Sequence, residues 1–363
     1  MTDLLYSDEE EALRSAVRDL LADHCDAASV LARIEADTPH DRSLWKLLTE
    51  SMGLAGLLVP ESLGGQGATH REAAVVLEEL GRAVAPVPYL TSAVVATEAL
   101  LACEGAEAEK LLTELASGRT VAALAVGFAA RPEGELGVVR QEGGALSGQV
   151  TAVADAAVAD VLLVPADDGG LYAVAANAVT VTPQVSLDLT RPVATLTFDR
   201  APARRLSNDA PAAVRRALQA GAGLLASEQL GVADWCLTET LRHLKERKQF
   251  NRVVGGFQAL KHRLAQLWLE IVSLRAAARN AADALAGSGE DTEVAVAVAA
   301  AYAAPVAVHA AEEALQLHGG IGMTWEHPVH LHLKRAKADS IAYGTAGAHR
   351  EALARLADLR PPL

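Results

Sequence analysis

Between Glu246 and Arg263 the chain reads ERKQFNRVVGGFQALKHR, which gathers Arg247, Lys248, Gln249, Gln258, Lys261, His262 and Arg263 around Gly255 and Gly256. Guanidinium and amide groups beside a glycine turn suit a dianionic pyrophosphate, because arginine offers forked, permanently charged donors. The same residue types also suit a solvated corner between two helices, and spacing alone does not choose. Downstream, His318, His327, His330 and His332 invite a metal reading. No cysteine or second histidine pair stands at ligand spacing to close such a site, so no metal is expected. Lys334, Arg335 and Lys337 read as a solvated helix face, and Trp325 as a packing residue.

The elements that hold this corner are helices. Leu237, Leu241 and Leu244 recur at helical spacing before it, and Leu260, Leu264, Leu267 and Ile271 after it. Stepping outward, residues 1–117 read as an α-helical domain. Ser7 with Glu10 marks a capping-box start before Leu13, Val17, Leu20 and Leu21, and a later amphipathic helix is expected to close at Gly81 and Pro86. Residues 118–205 change period to short β-rich runs split by Gly, Asp, Asn and Pro, which predicts a compact middle β-barrel domain. Residues 206–363 return to helix. Asn208 or Asp209 caps a long helix reaching Glu246, two more run over about 256–287 and 291–317, and a last follows Gly344. Four long helices with short joins predict a four-helix bundle.

Bulk properties narrow the function classes. A chain of 363 residues exceeds one ordinary core. Hydrophobic residues at 51% with aromatics at only 4% favour close-packed, alanine-rich helices, hence a mainly α fold with a central β domain. A net charge of −14 argues against nucleic acid. No uninterrupted apolar run of membrane-spanning length is read, and the acidic start MTDLLYSDEEEALRSAV does not resemble a signal peptide. Cys25, Cys103 and Cys236 are odd in number and far apart, so buried reduced thiols in a cytoplasmic protein are expected.

Two patterns then stand in order. Arg247, Gln249 and Phe250, a short glycine-containing turn, and Phe257 with Gln258 form the first; Gln316, Gly319, Gly320 and Gly322 form the second. Together they resemble the acyl-CoA dehydrogenase family. Pro60, Glu61, Gly64, Gly65 and Gly67 are similar to its Pro-Glu-x-x-Gly-Gly-x-Gly loop, Glu78 to Gly81 to its Glu-Glu-Leu-Gly helix end, and Leu187 to Ala203 to the last strands of its middle domain. The resemblance implies FAD as cofactor and α,β-desaturation of an acyl-CoA thioester, in which a flavin accepts a hydride while a carboxylate removes the α-proton. It implies that Arg247, Gln249, Phe250 and Gln258 meet the diphosphate and adenine of a neighbouring protomer's FAD. Gln316, Gly319, Gly320 and Gly322 would let a backbone approach its other half, and Thr345 would touch a flavin edge. Lys334, Arg335 and Lys337 could alternatively meet a CoA phosphate.

The resemblance breaks where the chemistry should be. The Ser/Thr-rich flavin turn is replaced by AVGFAARPEGELG, and the aromatic near the next strand is missing from SGQVTAVADAAVADVL. The family's two usual positions for the proton-abstracting glutamate are Tyr343 and Gly221 here. A phenol is a poor base near neutrality. Glu228 lies about 10 Å along the helix from Gly221, and Asp339 just before Tyr343; these are the remaining acidic candidates. Both departures resemble the degenerate subunit of heteromeric acyl-CoA dehydrogenases that act on sterol side chains in actinobacteria. The expectation is therefore a second acyl-CoA dehydrogenase-like subunit as partner, supplying the catalytic glutamate. An active homo-oligomer with a base at Glu228, Tyr343 or Asp339, a flavin monooxygenase of the same fold, and a non-catalytic subunit stay open.

Overall fold

The computed structural model describes residues 4–359 apart from 37, 135–138, 288 and 290. The N-terminal layer holds α1 (Asp8–His24), α2 (Ala27–Ile34), α3 (Arg42–Lys46), α4 (His70–Ala83), α5 (Thr97–Leu101) and α6 (Ala106–Ala116). The capping box at α1 is present: Ser7 Oγ accepts the Glu10 N–H, and the Glu10 carboxylate accepts the Ser7 N–H at 2.6 Å. A π-helical stretch, Tyr89–Ala96, runs directly into α5 and is buried throughout.

The middle layer carries β1 (Ala122–Leu124), β2 (Arg140–Glu142), β3 (Ala145–Ala154), β4 (Val161–Pro165), β5 (Leu171–Ala175), β6 (Thr180–Pro183), β7 (Val193–Pro202) and β8 (Arg204–Ser207). The expected barrel is corrected here. The strands form two open four-stranded sheets, in the orders β1-β4-β5-β8 and β2-β3-β7-β6. Among the described residues no ladder joins one sheet to the other. Closure depends on edge pairing, whereas the inward-outward alternation of each strand is the same in a barrel and in packed sheets. Leu146, Leu162, Val164, Leu196 and Phe198 form an apolar cluster inside this layer, whereas Leu124, Leu163, Leu171 and Leu206 join the larger core shared with the helices. Residues 135–137 of the AVGFAARPEGELG turn lie outside the described residues.

The C-terminal layer holds α7 (Ala210–Glu246), a small hairpin of β9 (Lys248–Gln249) and β10 (Arg252–Val253), α8 (Gln258–Gly287), α9 (Thr292–His318), α10 (Val329–Asp339) and α11 (Ala346–Leu356). The predicted four-helix bundle is thus extended by α10, whose charged and histidine-rich sequence hides its buried Val329, Leu331 and Ala336. The expected solvated face on α10 is also corrected. Arg335 is only 1% exposed, while Lys337 is exposed and pairs with Glu312 at 2.6 Å. Helix α9 with its following turn, Thr292–Met323, is long and apolar enough to cross a membrane at a mean hydropathy of 1.8, contrary to the sequence reading. It packs against α7, α8, α10 and α11, so this apolarity lines a core.

Gly81 does not end α4, which continues to Ala83 and closes at Val84 in the left-handed region (φ 44°). Gly81 instead permits α4 to cross α7 closely. A methyl group there would stand 2.1 Å from the Glu228 carbonyl oxygen, and one on Gly231 would stand 1.9 Å from the Glu78 carbonyl oxygen. The two glycines thus form a reciprocal backbone contact between α4 and α7.

Candidate functional site

The basic corner begins where α7 stops. Arg247 turns to extended backbone (ψ 128°), and the chain reverses through Phe250 and Asn251, both left-handed at φ 52° and 58°. Two consecutive positive φ values match the twist of a tight hairpin. Phe250 is 86% exposed, with its ring edge-on to Phe257 at 6.2 Å, and the Arg252 guanidinium lies 3.7 Å over the Phe257 ring. Arg247, Gln249 and Gln258 are exposed as well. Arg263 is engaged elsewhere, donating to both oxygens of Glu313 at 2.6 and 2.8 Å.

The second motif follows α9. Gln316, Gly319 and Gly320 are exposed, and Gly322 is buried. Gly319 adopts φ 61°, ψ −138°, a region essentially open only to glycine. Gly322 is small for packing, since a Cβ would meet the Leu315 carbonyl at 2.9 Å. A histidine pair brings the two motifs together. His243, one turn before Arg247, and His318, next to Gly319, have ring centroids 4.5 Å apart. The His327 ring also packs on His318, with centroids 4.5 Å apart. Burial and the neighbouring His318 push both His243 and His327 below the usual histidine range. His332 is remote from this function: its ring stacks on Trp235 at 3.5 Å, and its nitrogens face the Pro328 and Arg82 carbonyls. Trp325 is 44% exposed, stacks on His330 and donates from Nε1 to Glu35. Thr345 caps α11, its Oγ1 accepting the Ala348 N–H at 3.2 Å.

Gly221 and Tyr343, the two positions at which the family resemblance implies a catalytic glutamate, face each other and are closed. A Cβ on Gly221 would stand 2.9 Å from Val95 Cγ2 and 3.1 Å from the Tyr343 ring. Tyr343 is buried at φ 52°, donates its N–H to the Phe128 carbonyl at 2.9 Å, and meets the Phe128 ring edge-on at 5.5 Å. Burial pushes its phenol above the ordinary value, so it offers no base. What remains between Thr91, Val95, Leu124, Val126, Phe128 and Tyr343 is a cavity of about 20 Å³. That is room for about one water molecule, not for a ring system. Val95 and Phe128 were invisible as site residues in the sequence, because nothing local marks which apolar side chains fill a pocket.

Glu228 and Asp339 belong to a buried ionic network. Arg191, in the segment before β7, donates to Glu228 at 2.7 and 2.9 Å and to Asp339 Oδ1 at 2.8 Å. Arg335 donates to Asp188 Oδ2, Glu228 Oε1 and Thr190 Oγ1, each at 2.6 Å. Burial alone would raise the Glu228 carboxyl, but the two guanidiniums pull it down to about 2. That is the opposite of what proton abstraction requires. Asp188, Glu228 and Asp339 set three carboxyls against two guanidiniums. Burial and the Glu228 charge hold Asp339 well above the carboxylate range, and its Oδ2 has no partner. The depressed Glu228 contributes stability that is present above about pH 4.5 and lost as pH falls toward about 2; the raised Asp339 contributes in the opposite sense, losing stability as pH rises. We expect Asp339→Asn, which mimics a protonated acid, to cost under about 1 kcal/mol. Glu228→Gln should cost about 3 kcal/mol at pH 7 and flatten the acid limb of a urea-midpoint versus pH curve. Equal losses for the two variants would contradict this assignment.

Comparison with known proteins agrees with these elements. Residues 7–119 match the acyl-CoA dehydrogenase N-terminal domain and residues 211–357 match the acyl-CoA dehydrogenase C-terminal domain. The chain is 37% identical over 329 residues to the acyl-CoA dehydrogenase IpdE2 of Mycobacterium tuberculosis, covering 91% of each. It is 32% identical to the acyl-CoA dehydrogenase FadE34 of the same organism, covering 91% of this chain and 45% of FadE34. Among solved structures it is similar to the Tcur3481-Tcur3483 steroid ACAD, with a TM-score of 0.86 and 32% identity over 97% of this chain and 98% of that one. It is also similar to the ChsE4-ChsE5 complex from Mycobacterium tuberculosis, with a TM-score of 0.88 and 28% identity over 99% of this chain and all of that one. With both flanking domains matched and its β layer between them, the chain belongs to the acyl-CoA dehydrogenase family.

Proposed function

We propose that this chain is one subunit of a hetero-oligomeric acyl-CoA dehydrogenase, binding part of FAD at its exposed corner while a partner chain supplies the proton-abstracting carboxylate. One observation carries the reading: Gly221 and Tyr343, the positions at which the family resemblance puts a base, face each other across a space that Val95, Phe128 and Tyr343 crowd down to about 20 Å³. The residues that we assign to the other half of the cofactor site are turned outward. Arg247, Gln249, Phe250 and Gln258 present cationic, amide and aromatic groups suited to a diphosphate and an adenine, and Gln316, Gly319 and Gly320 are exposed as well. When bound, FAD would supply hydride acceptance from an acyl-CoA thioester. This chain's residues would grip and orient the dinucleotide held mainly by its neighbour. The similarity to chains from named two-component assemblies supports the reading, as does FadE34, where the matched segment is under half of a longer polypeptide. The similarity to a steroid ACAD supports an acyl-CoA substrate with a steroid-type acyl group.

Expression alone and together with adjacent reading frames tests it. The single chain should lack both stoichiometric FAD and turnover, and the two-chain complex should have both. Stoichiometric FAD with dehydrogenase activity from this chain alone would sink the proposal. In the complex, Arg247→Ala should weaken FAD retention by about 10–100-fold, the worth of one charge-assisted hydrogen-bond donor. The readout is the flavin-to-protein absorbance ratio after dialysis, with Arg263→Ala as an unaffected control.

A further inference from the structure

Three ligand-type side chains that the dinucleotide motifs leave unused converge between those motifs. Glu239 comes from α7, His318 ends α9, and His327 precedes α10; one ligand atom from each lies within 4.8 Å of the others. His318 is 4% exposed, and its Nδ1 sits 2.7 Å from the Ala314 carbonyl. A carbonyl only accepts, so Nδ1 carries the proton and Nε2 presents a lone pair. That Nε2 is buried and has no hydrogen-bond partner. A backbone-anchored imidazole with its free lone pair beside another imidazole and a carboxylate is how a metal ligand and its outer support are built.

We propose that Glu239, His318 and His327 form a site for a divalent transition metal of the zinc class, at the junction of α7, α9 and the Gly319–Met323 turn. Two imidazoles with one carboxylate suit Zn²⁺, whereas Mg²⁺ and Ca²⁺ require oxygen donors. Three protein ligands leave a fourth position open, and His243 walls one side of the cluster against His318. Two contacts must yield. Arg242 holds Glu239, yet its side chain is 58% exposed and already reaches Glu246 at 3.0 Å, so one Glu239 oxygen can be released. The long contact from the Val329 N–H to His327 Nδ1, at 3.3 Å, is lost when that ring adopts the Nε2-ligating tautomer. The metal would tie the end of α7 to the end of α9, and so fix the two exposed motifs relative to each other. This inference does not depend on which chain supplies the catalytic base.

Untagged full-length chain, stripped with a chelator, is titrated with Zn²⁺ by calorimetry and with Co²⁺ by visible absorption. One ion per chain and an intense tetrahedral Co²⁺ band are expected. Outer-shell substitutions alone weaken metal sites by about 10–100-fold, so His318→Gln and His327→Gln should each weaken Zn²⁺ by at least about 100-fold. His309→Gln, on a ring that pairs with Glu270, should leave the affinity unchanged. Because His318 is buried, its variant is checked by circular dichroism; the more accessible His327 variant decides the matter if His318→Gln fails to fold. Absence of one-to-one Zn²⁺ binding, or unchanged affinity in His327→Gln, overturns the proposal.

Discussion

Replacing Arg335 with methionine is expected to lower the stability of the folded chain by about 3–5 kcal/mol, read from urea unfolding at pH 7. The guanidinium is buried and donates to Asp188, Glu228 and Thr190 at once. Its removal leaves carboxylates in a low-dielectric interior with Arg191 as the one remaining cation of the network. Arg335→Lys should recover little of the loss, because an ammonium cannot reproduce the fork that reaches three partners in one plane. The exposed pair Arg263–Glu313 provides the contrast: Arg263→Met should cost under about 1 kcal/mol, since solvent screens that contact. If both substitutions cost the same, burial is not what gives the Arg335 network its weight.

The second large effect is steric. Gly231→Ala should cost about 2 kcal/mol or more, although alanine is the better helix former by about 1 kcal/mol. The new methyl group would stand 1.9 Å from the Glu78 carbonyl oxygen and 2.8 Å from the Arg82 nitrogen. Both are backbone atoms, so no side-chain rotation relieves the clash and α4 must move off α7. Gly287→Ala, at the open end of α8 with nothing within 4 Å, should be neutral or slightly stabilising. Thermal unfolding of the pair separates the two signs; a stabilised Gly231→Ala would mean the crossing is looser than described.

Much of this was legible in residue order because it is local. The Ser7–Glu10 box, the periodic leucines around the basic corner and the strand-like runs of the middle layer each depend on neighbours within a few positions. The parts that escaped depend on residues far apart. Arg335 reads as one of a run of surface cations, and only Asp188, Glu228 and Thr190, brought from other elements, explain its burial. Gly81 reads as a helix stop, and only the approach of α7 reveals a contact surface. The histidines after residue 317 read as a group, but His330 and His332 face backbone carbonyls. The carboxylate that completes the cluster, Glu239, comes from a different helix. Openness of the sheets likewise depends on which edges meet, a property no single strand encodes.

The Arg191–Glu228–Arg335 linkage also governs how this polypeptide can be dissected. A fragment starting at Ala210 would keep Glu228, Arg335 and Asp339 but forfeit Asp188, Thr190 and Arg191, stranding two acids on one cation in newly wetted surface. No cut between the β layer and the helices spares the set. Truncation should therefore yield insoluble pieces, and limited proteolysis should pass from intact chain to small peptides without a lasting core.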